Sequence, residues 1–151
     1  MDIYMNEAIN EARSGITQKH GGPFGCVIVK DKKIVGRGHN TVLKDNDPTC
    51  HGEMMAIRDA CKNLGTFNLE GCSLYPTAAP CPMCKGAILW ANIAETFYGC
   101  TIEDTDRIGF RDEVFYKNWN DTDGDNYGSE KDRDECQKLF DEYLNLEHQI
   151  Y

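Results

Sequence analysis

No run of about 18 apolar residues occurs in the chain, so no membrane-spanning helix is expected. The start, Met1-Asp2-Ile3-Tyr4-Met5-Asn6-Glu7, lacks the basic residues and apolar stretch of a secretion signal. No internal repeat is evident. Basic residues are scarce: 16 lysines and arginines stand against 25 acids, a net charge of −9. Residues 1–100 hold 10 acidic and 10 basic side chains, whereas residues 101–151 hold 15 against 6. A protein that grips a phosphate backbone concentrates cations on a face or tail; here the tail is acidic, which argues against a polynucleotide partner. The expectation is one soluble, cytoplasmic domain of 151 residues.

Cysteine is what the chain has in quantity, with eight. Without a secretion signal, metal ligation and buried free thiols are favoured over disulfides. Cys26, Cys61, Cys72, Cys100 and Cys136 lie in apolar or periodic segments and read as small core residues. Cys50, beside His51, is less readily classed.

Apolar periodicity predicts a helix over 2–14, ending at Ser14-Gly15, and short strands at 25–29 and 34–38 joined by a turn at 30–33. Asp45-Asn46-Asp47-Pro48 is a polar breaker. A second helix is expected from Gly52 to Leu64, strands at 72–75 and 95–99, and a helix from Pro82 to Ala91 with proline in its first turn. This alternation indicates a three-layer α/β domain with a partly parallel sheet. Residues 118–129 read as an acidic linker. Asp121, Asp123 and Asp125 suggest a calcium loop, but Asn126 replaces its glycine and Asp132 its glutamate. A last helix is expected from Glu130 to Leu144.

Two short motifs carry the chemistry: His51-Gly52-Glu53 and Pro80-Cys81-Pro82-Met83-Cys84. Cysteines three positions apart at a helix start can hold one metal from the same side, and the helix N-terminus there favours thiolate. A redox pair has the same spacing but leaves His51 and Glu53 unexplained. With His51 the set becomes Cys₂His, which leaves a tetrahedral zinc one open position for water. Residues two apart on a regular helix diverge by about 200°, so for His51 and Glu53 to share a pocket the segment must straddle a loop–helix boundary. Glu53 would then move protons to and from that water; as a fourth ligand it would instead close the site.

The motif pair resembles that of the cytidine-deaminase-like superfamily, whose signature is a standard example of zinc deaminase chemistry; the likeness covers residues 1 to about 117. It implies an α/β/α fold around a mixed, about five-stranded sheet, one zinc per chain held by His51, Cys81 and Cys84, and Glu53 as proton shuttle. Ala79 departs from the glutamate that many relatives carry there. Within the superfamily the chain looks most like bacterial guanine deaminases, on Gly21-Gly22-Pro23-Phe24-Gly25, Gly38-His39-Asn40-Thr41, Ala87-Ile88-Leu89-Trp90-Ala91, Gly109-Phe110-Arg111-Asp112 and the terminal Tyr151. That likeness implies hydrolysis of guanine to xanthine and ammonia. Asn40 would bond the purine, Phe24 and Trp90 would wall it, Asp112 would contact it and carry a second proton, and Tyr151 would close the pocket. It also implies a homodimer, with segment 118–151 as lid or swapped arm. The rival readings are a cytosine, cytidine, deoxycytidylate or guanosine deaminase, a tRNA adenosine deaminase, and a non-catalytic zinc-stabilised module.

Overall fold

The computed structural model describes residues 1–119 and 128–151, in two units, Met1–Tyr116 and Lys117–Tyr151. Asp121, Asp123, Asp125 and Asn126, on which the calcium-loop comparison turned, lie outside the described residues, as does most of the expected linker.

The first unit begins with α1 (Ile3–Thr17), which starts where the Asp2 carboxylate accepts the backbone N–H groups of Tyr4 and Met5. The stop expected at Ser14-Gly15 is not used. Gly15 is buried in the helix, and a Cβ there would stand 2.7 Å from the His39 ring, so this glycine serves packing instead of termination. Strands β1 (Gly25–Lys30) and β2 (Lys33–His39) form an antiparallel hairpin. Its two turn residues, Asp31 and Lys32, both have positive φ, as a tight primed turn demands. A short helix α2 (Val42–Asp45) precedes α3 (Gly52–Leu64), which ends on left-handed Gly65. Then come β3 (Ser73–Pro76), α4 (Pro82–Trp90), β4 (Glu95–Thr96), α5 (Ile102–Arg107) and α6 (Asp112–Asn118).

The sheet order is β2-β1-β3-β4, antiparallel except for the β3–β4 pair. Among the described residues it has four strands, one fewer than the resemblance implied. The strand expected over 95–99 is regular only at its start. Beyond it, Phe97, Gly99 and Cys100 still donate N–H groups to the carbonyls of Leu74, Pro76 and Thr77, so pairing continues irregularly.

Alternation along β1 explains the layers. Cys26 and Ile28 join Ala56, Ala60, Leu74 and Ile88 in one buried cluster, on the side of α3 and α4. Val27 and Val29 join Ala8, Met5 and Tyr75 in another, on the side of α1. Both faces of the strand are covered, which is why β1 is apolar throughout. On β2 the α3 backbone comes so close that a Cβ on Gly36 or Gly38 would lie 2.5 Å from Ala56 backbone atoms.

Of the cysteines expected in the core, Cys26 and Cys72 are buried and Cys61 half-buried, but Cys100 and Cys136 are exposed; all eight are free thiols. In the second unit, α7 (Arg133–Leu144) leaves Leu139, Phe140 and Tyr143 exposed. No helix among the described residues is long and apolar enough to cross a membrane.

Candidate metal centre and substrate cleft

The N-termini of α3 and α4 bring the two motifs together. His51 is the N-cap residue of α3, with extended backbone, and Glu53 lies in the first turn. The change from loop to helix between them lets both side chains serve one site. Cys81 is the N-cap residue of α4, followed by Pro82 at the first helical position, and Cys84 sits one turn on. His51 Nδ1 lies 3.5 Å from Cys81 Sγ and 3.6 Å from Cys84 Sγ. The ligand atoms of His51, Cys81 and Cys84 all lie within 4.8 Å of one another, and both thiols are buried. Two soft sulfurs and one imidazole nitrogen converging in this way fit a tetrahedral zinc with one position left over. Glu53 is not part of that three-atom cluster.

The electrostatics agree. The Cys81 thiol is drawn down to about 4, chiefly by its hydrogen bond with Cys84 and also by His51. Cys84 is pushed the other way by the same contact and by burial, since two adjacent thiols cannot both ionise without a cation. A divalent metal removes that conflict by taking both as thiolates. His51 is raised by its contact with Cys81. Glu53, 8% exposed, is pushed up to about 7 by burial, with the Cys81 charge acting in the same sense and His51 opposing it. Such a carboxyl can both take and return a proton near neutrality.

A cleft of about 510 Å³ opens over His51, Glu53 and Cys81. Phe24 and Phe110 meet edge to face on its wall, with ring centroids 4.8 Å apart and planes at 83°. Asn40 is buried at the edge, and its Oδ1 accepts the Val42 N–H at 3.0 Å. That bond occupies the side-chain carbonyl and leaves the amide NH₂ as the group to offer a ligand. Asp112 and Arg111 complete the lining. Burial raises the Asp112 carboxyl, with Cys81 contributing.

Trp90, anticipated as a wall, does not line this cleft and is 68% exposed. It ends α4, roughly 13 Å along the axis from the cysteine end at 1.5 Å per residue. Phe110 supplies the second aromatic ring of the wall, and the Gly109-Phe110-Arg111-Asp112 segment held the signal that could have found it. Tyr151 belongs to the second unit and is exposed. Sequence reading also missed Tyr116, whose hydroxyl donates to the Pro80 carbonyl at 2.5 Å. Tyr116 lies one turn beyond Asp112 on α6, so this bond ties the helix carrying Asp112 to the residue before Cys81. Ala79 itself lines the cleft, and its N–H donates to the Cys100 carbonyl.

A Cys₂His set that can hold zinc, with a buried glutamate beside it, mounted on a mixed α/β sheet, defines a zinc-dependent hydrolase of C–N bonds. The cytidine and deoxycytidylate deaminase zinc-binding region matches residues 2–100, and the chain belongs to that family. It is 46% identical to a guanine deaminase of Bacillus subtilis over 116 residues, 77% of this chain and 74% of the relative. It is 41% identical to a tRNA-specific adenosine deaminase of the same organism over 98 residues, 65% of this chain and 60% of that one. An X-ray structure of guanine deaminase from Bacillus subtilis superposes with a TM-score of 0.90 at 36% identity, covering 100% of this chain and 99% of that one.

Proposed function

We propose that this chain hydrolyses guanine to xanthine and ammonia. The reading is carried by the buried Glu53 carboxyl beside the Cys₂His set, in a chain whose likeness to a guanine deaminase reaches beyond the family's shared zinc region. His51, Cys81 and Cys84 would hold zinc, which would supply the acidity that lets water give up a proton near neutrality. Glu53 takes a proton from the attacking water, whose oxygen bonds to purine carbon 2, and delivers it to the adjacent ring nitrogen. Glu53 then passes the remaining hydroxyl proton to the exocyclic nitrogen; the carbon–nitrogen bond breaks, ammonia leaves and the carbonyl of xanthine forms. Phe24 and Phe110, packed against each other, offer the flat base one apolar wall and help exclude bulk water, which strengthens each polar contact. Asn40 donates its amide to an acceptor on the base, and Asp112 contacts the base and carries a second proton.

The segment 118–151 serves as a lid or swapped arm in a homodimer, with Tyr151 closing the pocket. In support, Leu139, Phe140 and Tyr143 of α7 are exposed within their unit, a face that needs cover. The substrate reading is tested by ammonia release from guanine, guanosine, cytosine, cytidine, adenine and a tRNA anticodon stem. Guanine is expected to be turned over with the highest kcat/KM. Preference for the stem would favour the activity named for the adenosine deaminase relatives, and preference for a pyrimidine would displace the purine reading.

A further inference from the structure

Outside the metal centre, the structure holds a second group of titratable side chains with a defined order. His39 Nδ1 lies 3.1 Å from Glu11 Oε2, and His39 Nε2 lies 2.9 Å from His20 Nδ1. The two imidazoles are nearly parallel, at 18°, with centroids 5.2 Å apart. That separation is far longer than the nitrogen–nitrogen distance, as for rings meeting edge to edge, so the contact is a hydrogen bond in the ring planes. Glu11 lies on α1 and His39 ends β2, while His20 lies in the loop leading to Gly21 and Phe24. His20 is also fixed through its backbone: its carbonyl accepts the N–H groups of Leu43 and Lys44, and its N–H donates to Gly15. Its neighbour Gly21 lies so close to Asn40 that a Cβ there would reach 2.1 Å from Oδ1.

We propose that Glu11, His39 and His20 form a hydrogen-bonded chain that positions Asn40 and the Gly21–Phe24 wall for the substrate, and that acid releases. The inference rests on the cleft being the base-binding site argued above. The proton order follows from the acceptor at one end. Glu11 has only acceptors, so His39 donates from Nδ1 and presents a bare Nε2; His20 must then donate from Nδ1. Both neutral rings are therefore Nδ1–H tautomers. One added proton is accommodated, because either ring can be the cation while the other accepts. A second proton puts two N–H groups face to face and breaks the link.

The groups around the pair set how much acid this takes. Glu11 on α1 favours the first proton. Lys44 on α2, Arg37 on β2 and Arg58 and Lys62 on α3 oppose the second, whereas Asp45 and Asp59 favour it. Arg37 is partly neutralised by Glu7 at 2.7 Å. Partial burial, then Lys44 and His39, hold His20 below its usual value. The link thus holds while at least one ring is neutral, and is lost when acid protonates both.

His20 and His39 are positioning residues, and their removal should weaken binding while sparing the chemical step. His20→Ala is expected to raise KM for guanine about tenfold, the worth of one hydrogen bond, with kcat within about twofold and zinc content unchanged. His20→Asn, which returns a donor near the Nδ1 position, should recover most of that loss. The acid rise in KM of the wild type should vanish in His20→Ala. Long-range ¹H–¹⁵N spectra of the wild-type protein should show both rings as Nδ1–H at neutral pH. Unchanged KM in His20→Ala, equal damage in the Ala and Asn variants, or Nε2–H tautomers on both rings would each overturn the proposal. If another base of the panel is the substrate, the same KM comparison is made with that base; the failure of guanine then counts against the substrate reading alone.

Discussion

Glu53 combines two properties that a carboxylate seldom has together: near-complete burial and a place beside three metal-ligating atoms. Replacing it separates them. Glu53→Gln keeps the shape and hydrogen bonding but cannot carry a proton, so kcat should fall by about 10²–10⁴, the usual worth of general acid–base catalysis. Zinc content, measured by atomic absorption, should stay at one per chain. The same variant reports on stability in metal-free protein. The folded carboxyl is raised from 4.5 to about 7, so the folded state binds this proton more tightly than the unfolded chain does. Its stabilising effect is whole below about 4.5 and is lost as pH rises through about 7. Metal-free Glu53→Gln should therefore melt above metal-free wild type at pH 8, the difference closing as the pH is lowered through that window. A wild type that melts higher at pH 8 would show that burial of the charge costs nothing.

At the scale of elements, short helices and close backbone approaches place the side chains. α6 presents Asp112 to the cleft, and the Tyr116 hydroxyl on Pro80 anchors its next turn. Tyr116→Phe should cost roughly 0.5–1.5 kcal/mol in transition-state stabilisation, about twofold to thirteenfold in kcat/KM. Combined with Asp112→Asn the losses should not add, because both act through one helix; full additivity in the double-mutant cycle would separate Tyr116 from Asp112. At the sheet, Gly38→Ala forces a Cβ against the Ala56 nitrogen of α3. Overpacking of that kind costs typically about 1–3 kcal/mol, and urea denaturation should register it as a lower midpoint with unchanged slope. The main helices and the β1–β2 hairpin were legible because each carries its own local signal: period, turn residues or cap. α2, α5 and α6 were not, since four to seven residues are too few for an apolar period to emerge.

For the molecule as a whole, metal and C-terminal unit are the two dependencies to test. Prolonged chelation should abolish turnover, and zinc should restore it in proportion to metal bound, as a three-ligand catalytic site requires. Persistent activity in metal-free protein would remove zinc from the reaction. Deleting Tyr151 should impair guanine turnover and leave zinc content intact if the second unit closes the pocket. Light scattering should return twice the 17.1 kDa chain mass; a monomer with full activity would refute the swapped arm.

The sequence by itself determined the reaction class. His51, Glu53, Cys81 and Cys84 sit within two short motifs whose ligand types and spacing permit little other than zinc and water activation, since chemistry of this kind depends on local geometry at helix starts. Only the tertiary structure decided what surrounds that centre. It put Phe110 in the cleft and Trp90 outside it, gave Tyr116 a carbonyl at Pro80, and joined Glu11, His39 and His20 from a helix, a strand and a loop. Those contacts join residues as far apart in the chain as Phe24 and Phe110, and no local pattern encodes them. They arise because α1, the β2 end and the helix N-termini pack around one sheet, and that packing brings distant side chains within bonding distance.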